Sequence, residues 1–290
     1  MSETVLRTEN LSYVYGSGTI IEHKAIDNIN LDIEKGEFIG IIGHTGSGKS
    51  TLIQHFNALL KPSGGKIFVD GRDIWADKSK IRQVRFAVGL CFQYPEYQLF
   101  EETVEKDIAF GPQNMGLGKE EIRERVIEAI RFVGLNESYL QRSPFDLSGG
   151  EKRRVAIAGV MAMKPEILIL DEPCAGLDPR GRDTVLSLIK DYREKTGSTV
   201  MIVSHSMEDI AKVATRVLVL NKGELFMYGT VKEVYSHGEE LSEMGLSIPE
   251  ITSLFIKLRQ KGYNVRDDIY TVEEGRKELL SFLKGGKAHD

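Results

Sequence analysis

The stretch from Leu147 to Pro179, LSGGEKRRVAIAGVMAMKPEILILDEPCAGLDP, constrains the fold more than any other part of the chain. Ser148, Gly149 and Gly150 stand directly ahead of a helical run from Glu151 to Met163. Glycines let backbone approach a ligand closely, and the free N–H groups and positive dipole end of a helix start attract an anion. Phosphate suits such a junction. After Lys164-Pro165 breaks the helix, Ile167, Leu168, Ile169 and Leu170 form a continuous apolar run, the pattern of a strand buried on both faces. It ends in Asp171-Glu172, at the carboxyl end where open α/β sheets bind ligands. Two acids there need a cation or a water network to offset their desolvation, and a metal nucleotide supplies one. Taken singly, Ser-Gly-Gly reads as a helix cap and Asp-Glu as a solvated turn; their conjunction outweighs both.

A second phosphate element lies upstream. The apolar strand Glu37 to Ile42 runs into Gly43-His44-Thr45-Gly46-Ser47-Gly48-Lys49-Ser50-Thr51, a complete phosphate loop. Its glycines free successive N–H groups to curl around phosphates, Lys49 neutralises the β and γ oxygens, and the Ser50 hydroxyl ligates Mg²⁺. Leu52, Ile53, Phe56 and Leu60 share one face of the following helix, the context the motif requires. His44 lies inside the loop, where it can touch phosphate oxygens or simply be tolerated.

Around these elements, Val5 to Tyr15 and Ile26 to Ile33 alternate as antiparallel strands. Tyr15 closes the first, either offering its ring to a nucleobase or sealing a sheet edge. A short strand is expected at Lys66 to Val69 and another at Phe86 to Phe92, ending at Gln93. The loop Tyr94 to Glu102 combines aromatics with Glu96, Glu101 and Glu102, a composition found at contact surfaces and in locally packed loops. Helices are expected at Lys119 to Val133 and Gly181 to Lys195. Val200 to Val203 forms a strand that ends in Ser204-His205, and Val217 to Leu220 pairs with Leu225 to Tyr228 as a hairpin. From Val231 the chain carries no phosphate or metal motif. Pro249 opens a helix with Ile251, Leu254, Phe255 and Leu258 on one stripe, and Thr271 to Glu274 fits a capping box ahead of Leu279, Leu280 and Leu283. These faces pack on the main domain or serve a partner.

A net charge of −5 argues against a nucleic-acid surface, which needs a basic face. Cys91 and Cys174 cannot build a disulfide framework, and Cys174 reads as a small packing residue. Nothing reads as a targeting signal, and no apolar run approaches the roughly 18 to 20 residues that span a bilayer, so a membrane role works through partners.

The Leu147 to Pro179 stretch resembles the signature, Walker B and D-loop segment of ATP-binding-cassette ATPases, and the other motifs follow in that family's order from Tyr15 to His205. The resemblance covers the chain to about Tyr228. It implies a P-loop α/β cassette: residues 1–230 form a core sheet, an antiparallel β-subdomain and a helical subdomain at about 95–165, and residues 231–290 form a helical appendage that can serve subunit dimerisation. It further implies that Tyr15 stacks on adenine and that the phosphate loop holds ATP. The Gln93 carboxamide reaches the metal and the attacking water, Asp171 holds the Mg²⁺ shell, Glu172 positions and deprotonates the water, and His205 contacts the γ-phosphate. Ser148, Gly149, Gly150 and Asp178 complete a composite site with a second ATPase subunit, like or unlike. QYPEYQLF, LSGGEKRRVAIAG, DEPCAGLDPRGR and the Pro249 tail resemble more narrowly the ATPase subunits of energy-coupling-factor transporters, importers of vitamins and metal ions. That resemblance implies a membrane scaffold, a substrate-binding membrane subunit and a place on the cytoplasmic face of a prokaryotic-type membrane. Glu96, Glu101 and Glu102 would attract arginines of the scaffold's coupling helices. Rival readings are a soluble cassette ATPase of DNA repair or translation, an exporter subunit, and a nucleotide-gated module without turnover. Two departures stand out: Cys174 where threonine is usual, and Ala175-Gly176-Leu177-Asp178 in place of Ser-Ala-Leu-Asp.

Overall fold

The computed structural model describes residues 3–266 and 268–285. The last residues of the expected appendage, 286–290, lie outside the described residues, as do residues 1, 2 and 267. The chain opens with the antiparallel strands β1 (Thr4–Tyr15) and β2 (His23–Glu34), followed by β3 (Phe38–Ile42), which feeds the phosphate loop and helix α1 (Lys49–Phe56). Strands β4 (Gly64–Val69) and β5 (Arg72–Asp73) join β1 and β2 in a four-stranded sheet of order β2-β1-β4-β5. Helix α2 (Ile81–Ala87) leads to β6 (Val88–Cys91), and α3 (Val104–Asn114), α4 (Lys119–Phe132) and α5 (Gly149–Met161) form a helical block. Then come β7 (Ile167–Asp171), α6 (Pro179–Thr196), β8 (Thr199–Val203), α7 (Met207–Val213), β9 (Arg216–Asn221) and β10 (Glu224–Thr230). The second sheet has the order β10-β9-β3-β8-β7-β6, parallel except for the β9–β10 hairpin.

Alternation along its central strands makes this sheet a partition between two cores. Leu168 and Leu170 of β7, with Val200 and Ile202 of β8, face the core shared with α3 to α7. Ile167, Ile169, Met201 and Val203 face the opposite core, built with α1 and the antiparallel sheet. Burial on both faces explains why β7 reads as one uninterrupted apolar run. Close packing fixes small residues: a Cβ on Gly40 would lie 2.3 Å from Ile210 Cγ2.

The expected strand Phe86 to Phe92 is shorter than its composition suggests. Phe86 and Ala87 finish α2, and only Val88–Cys91 pairs with β7. Arg85 donates to the Ala58 carbonyl (3.1 Å), and Asn57 donates to that of Val88. These bonds anchor the helix end and override local β propensity. The first phosphate helix, α5, begins two residues earlier than expected because Ser148 caps it.

Beyond β10 lie α8 (Val231–Ser236), α9 (Gly238–Glu243), α10 (Glu250–Gln260) and α11 (Val272–Gly285). Pro249 sits one position before α10 rather than in its first turn. Phe255, Val265 and Ile269 make a small core of their own, backed by Ile251, Leu258 and Leu279. Tyr270 meets Tyr235 edge-on at 5.6 Å and ties this cluster to the main core. Leu254, Leu280 and Leu283 remain exposed. The capping box at Thr271 forms as expected, with Glu274 accepting from the Thr271 N–H (3.1 Å) and donating its own N–H to the Thr271 hydroxyl (3.3 Å).

Candidate functional site

Parallel pairing brings the chemistry to one edge. Cys91 pairs with Leu170, Asp171 with Val203, and Ile41 with Val203, so Gln93, Asp171-Glu172, His205 and the phosphate loop all leave the sheet at its carboxyl end. The loop itself needs glycine at Gly43 and Gly48. A Cβ would lie 2.4 Å from Ser47 Oγ at the first, and 2.6 Å from the Ala25 carbonyl at the second, where φ is 99°. The turn between β9 and β10 braces this loop: Gly223 donates to the Ser47 carbonyl (3.1 Å) and accepts from the Asp27 N–H (2.9 Å).

Lys49 is 7% exposed and donates to the carbonyls of Gly43 (2.6 Å) and His44 (3.0 Å). Burial lowers its pKa against the opposing pull of Glu172 and Asp171. Ser50 donates to Asp171 Oδ2 (3.2 Å). Burial raises the Asp171 carboxyl, and the Ser50 bond and Lys49 oppose this. Glu172 occupies the left-handed region at φ 49°, a conformation that costs a non-glycine residue about 1–3 kcal/mol and survives only where its surroundings dictate it. Burial and then the neighbouring Asp171 carboxylate push Glu172 up to about 7. Its buried Oε1 lacks a hydrogen-bond partner although His205 Nε2 stands 3.1 Å away. His205 is more exposed, and its pKa is lowered by burial and by Lys49.

The remaining expected residues divide into two groups. Tyr15 is 40% exposed, its hydroxyl lies 3.3 Å from that of Thr51, and Tyr13 meets it edge-on at 4.8 Å. Tyr13 in turn packs on buried His55, so Tyr15 has the freer ring face. His44 donates from Nδ1 to the Thr45 carbonyl (2.7 Å), while Ser47 Oγ is buried without a partner. Gly46 lies in the same loop, and Gln93 is exposed two residues beyond β6. Ser148, Gly149 and Gly150 form a separate exposed group. The Ser148 hydroxyl donates to Glu151 Oε2 (2.7 Å), and the Glu151 N–H returns to the hydroxyl (3.4 Å). Asp178 caps α6 by accepting from the Gly181 N–H (2.7 Å) and is likewise exposed. Cys174 is 8% exposed and its thiol is pushed up to about 12 by burial, which fits a packing role.

Mg²⁺ fits this donor set. Among the described residues no group of three or more His, Cys, Asp or Glu is arranged to hold a metal, so the protein supplies no closed cage. Ser50 and Asp171 instead present two hard oxygens side by side, which suits an ion that keeps waters and takes phosphate oxygens as ligands.

Sequence reasoning missed Arg153. Glu96, expected to join Glu101 and Glu102 in an outward acidic loop, turns inward to it: Arg153 Nε donates to Glu96 Oε2 (3.1 Å) and Nη2 to Oε1 (2.7 Å), with side chains 5% and 15% exposed. Burial works against the Glu96 charge, and the Arg153 hydrogen bond, a backbone hydrogen bond and the Arg153 charge together more than offset it, holding the carboxyl below its usual range. One signal was available. Arg153 shares the buried stripe of α5 with Ile157 and Met161, and a cation on such a stripe needs a partner.

Residues 26–175 match the family described as ABC transporter. The chain is 56% identical over 279 residues to the energy-coupling factor transporter ATP-binding protein EcfA2 of Clostridium tetani, covering 96% of this chain and 97% of that protein. Against the protein of the same name from Listeria monocytogenes, identity is 46% over 286 residues, with 97% and 99% covered. Among solved structures, cbiO1 from Clostridium perfringens, part of the ABC transporter complex cbiONQ, superposes with a TM-score of 0.74 at 39% identity, covering 87% of this chain and 98% of that one. The ATP-binding cassette MJ0796, a dimer bound to ADP and Pi in a post-hydrolysis state, gives 0.69 at 29% identity, covering 78% and 98%. The strand order, the phosphate loop under the Asp171-Glu172 edge and these similarities agree: the chain is an ATP-binding, ATP-hydrolysing member of the ABC transporter ATPase family, of its energy-coupling factor type.

Proposed function

We propose that this chain pairs head to tail with a second ATPase subunit and drives uptake of a vitamin or metal ion through a membrane scaffold and a substrate-binding membrane subunit. The observation that carries the reading is the buried Glu172 carboxyl, beside His205 at the sheet edge that also presents Lys49 and Ser50. Lys49 exchanges its two loop carbonyls for the β and γ oxygens of ATP. Tyr15 stacks on adenine, and the N–H groups from Gly43 to Thr51 wrap the phosphates. Ser50 and Asp171, with Gln93, hold Mg²⁺, which supplies charge neutralisation at the phosphates. Glu172, with a carboxyl near neutrality, accepts the proton of the attacking water, and Gln93 orients that water. His205 presents Nε2 to the γ-phosphate.

The exposed group of Ser148, Gly149, Gly150 and Asp178 closes over the nucleotide held by the facing subunit, so γ-phosphate favours the closed pair and its hydrolysis releases it. In the cassette of residues 1–230, the region about 95–165 faces the scaffold. There Tyr97 (85% exposed), Phe100 and the Glu101-Glu102 pair offer an aromatic and acidic docking surface. In the appendage of residues 231–290, Leu254, Leu280 and Leu283 offer an apolar face to the second subunit. No described helix is long and apolar enough to cross a membrane, so attachment to the cytoplasmic membrane face comes through these partners. Light scattering with non-cleavable ATP tests the scheme: with the companion subunits supplied, closed pairs are expected, and isolated monomers would overturn it.

A further inference from the structure

The contacts of Arg153 extend beyond its ion pair. Its Nη1 donates to the carbonyls of Pro173 (3.4 Å) and Ala175, while Nε and Nη2 take both oxygens of Glu96. One guanidinium therefore joins three segments: the signature helix five residues after Ser148, the turn three residues after Gln93, and the backbone that directly follows Glu172. The planar fork of arginine can serve all three at once, whereas a lysine ammonium is a compact point charge.

Two of the three segments contain a non-glycine residue in the left-handed region. Tyr94, at φ 54°, precedes the turn that holds Glu96, and Glu172, at φ 49°, precedes Pro173. The loop after Glu172 is short and closed: Ala175 donates to the Glu172 carbonyl (3.1 Å), and Glu172 donates to that of Val203 (3.0 Å). A displacement of the Pro173 or Ala175 carbonyl is thus passed to the Glu172 backbone within two bonds of the hydrogen-bonded turn. We infer that Arg153 is a positioning residue for Glu172, that Glu96 holds it in place, and that the trio ties the signature helix and the turn after Gln93 to the group that activates water. This rests on the reading of Glu172 as the base.

A buried pair that served stability alone would have no such directional consequence. The charge swap Glu96→Arg with Arg153→Glu separates the two cases, because it keeps an ion pair but leaves the Pro173 and Ala175 carbonyls without their donor. In the assembled complex the swap is expected to lower the melting temperature, because two carbonyls lose their donor, and to keep the KM for ATP within twofold while kcat falls between about ten- and a hundredfold, the scale of a small misplacement of a reacting group. Arg153→Lys, which keeps the charge but not the fork, is expected to show the same split and covers the case in which the swap does not fold. Parental kcat in either folded variant, or a rise in KM that accounts for the whole loss, overturns the inference. Glu172→Gln is measured alongside: if it retains turnover, the base assignment fails, whereas a parental swap beside an inactive Glu172→Gln removes only the role given to Arg153.

Discussion

His205 Nε2 stands 3.1 Å from Glu172 Oε1, yet that buried oxygen has no hydrogen-bond partner. The two atoms are already in contact, so a water or a phosphate oxygen that bonds to this carboxylate must approach beside His205 rather than between the two side chains. Replacing Glu172 by Gln keeps the shape and removes the proton acceptor, so steady phosphate release is expected to fall by about 10²- to 10⁴-fold. Nucleotide binding should survive, and equilibrium binding of a fluorescent ATP analogue beside a phosphate-release assay checks both. Turnover within a few-fold of the parent would contradict the assignment.

Lys49→Ala removes the donor that satisfies the Gly43 and His44 carbonyls and the cation that would meet phosphate. In the parent, ATP at a hundred times its dissociation constant adds about 2.7 kcal/mol of stability. The variant is expected to lose most of that increment, read as a melting temperature that no longer rises with ATP.

The Glu151 cap gives a pH dependence with a definite sign. Its carboxyl is pulled down to about 2 by the Ser148 hydroxyl, then by the Ser148 N–H and the Tyr139 hydroxyl. A carboxyl whose folded pKa is depressed contributes stability above its ordinary value, and that contribution disappears as pH falls through the folded value. The difference in urea midpoint between parent and Glu151→Gln should therefore be constant near neutrality and shrink from about pH 4.5 towards pH 2. The cap is exposed, so solvent screening keeps the difference small. A gap that widens on acidification would reverse the argument.

Glu101→Lys combined with Glu102→Lys leaves the nucleotide edge and the internal Arg153–Glu96 pair untouched. Basal ATP hydrolysis is expected to persist, while assembly with the membrane scaffold weakens and becomes less sensitive to salt. Unchanged co-purification and transport would remove the acidic loop from the docking surface.

The phosphate loop and the Asp171-Glu172 edge were legible because each is contiguous: residues 43 to 51 and 167 to 172 carry their own strand, turn and chemistry. What the sequence hid is long-range. Arg153 and Glu96 are 57 positions apart, and nothing in the charge-rich run GGEKRR marks which cation turns inward. The end of α2 was misread as strand because Phe86 and Ala87 continue an apolar run, and their helical state depends on anchors at Asn57 and Ala58. The turn Pro95–Gln98 likewise takes its inward direction from a partner on another element.

Lys222-Gly223 occupies the kind of hairpin tip where reporters, tags and permuted termini are commonly inserted. Its stitches to Ser47 on one side and Asp27 on the other make it a strut. A graft placed there would spring the floor of the ATP cradle without altering a residue that touches ATP. An engineer seeking a silent insertion point should look elsewhere.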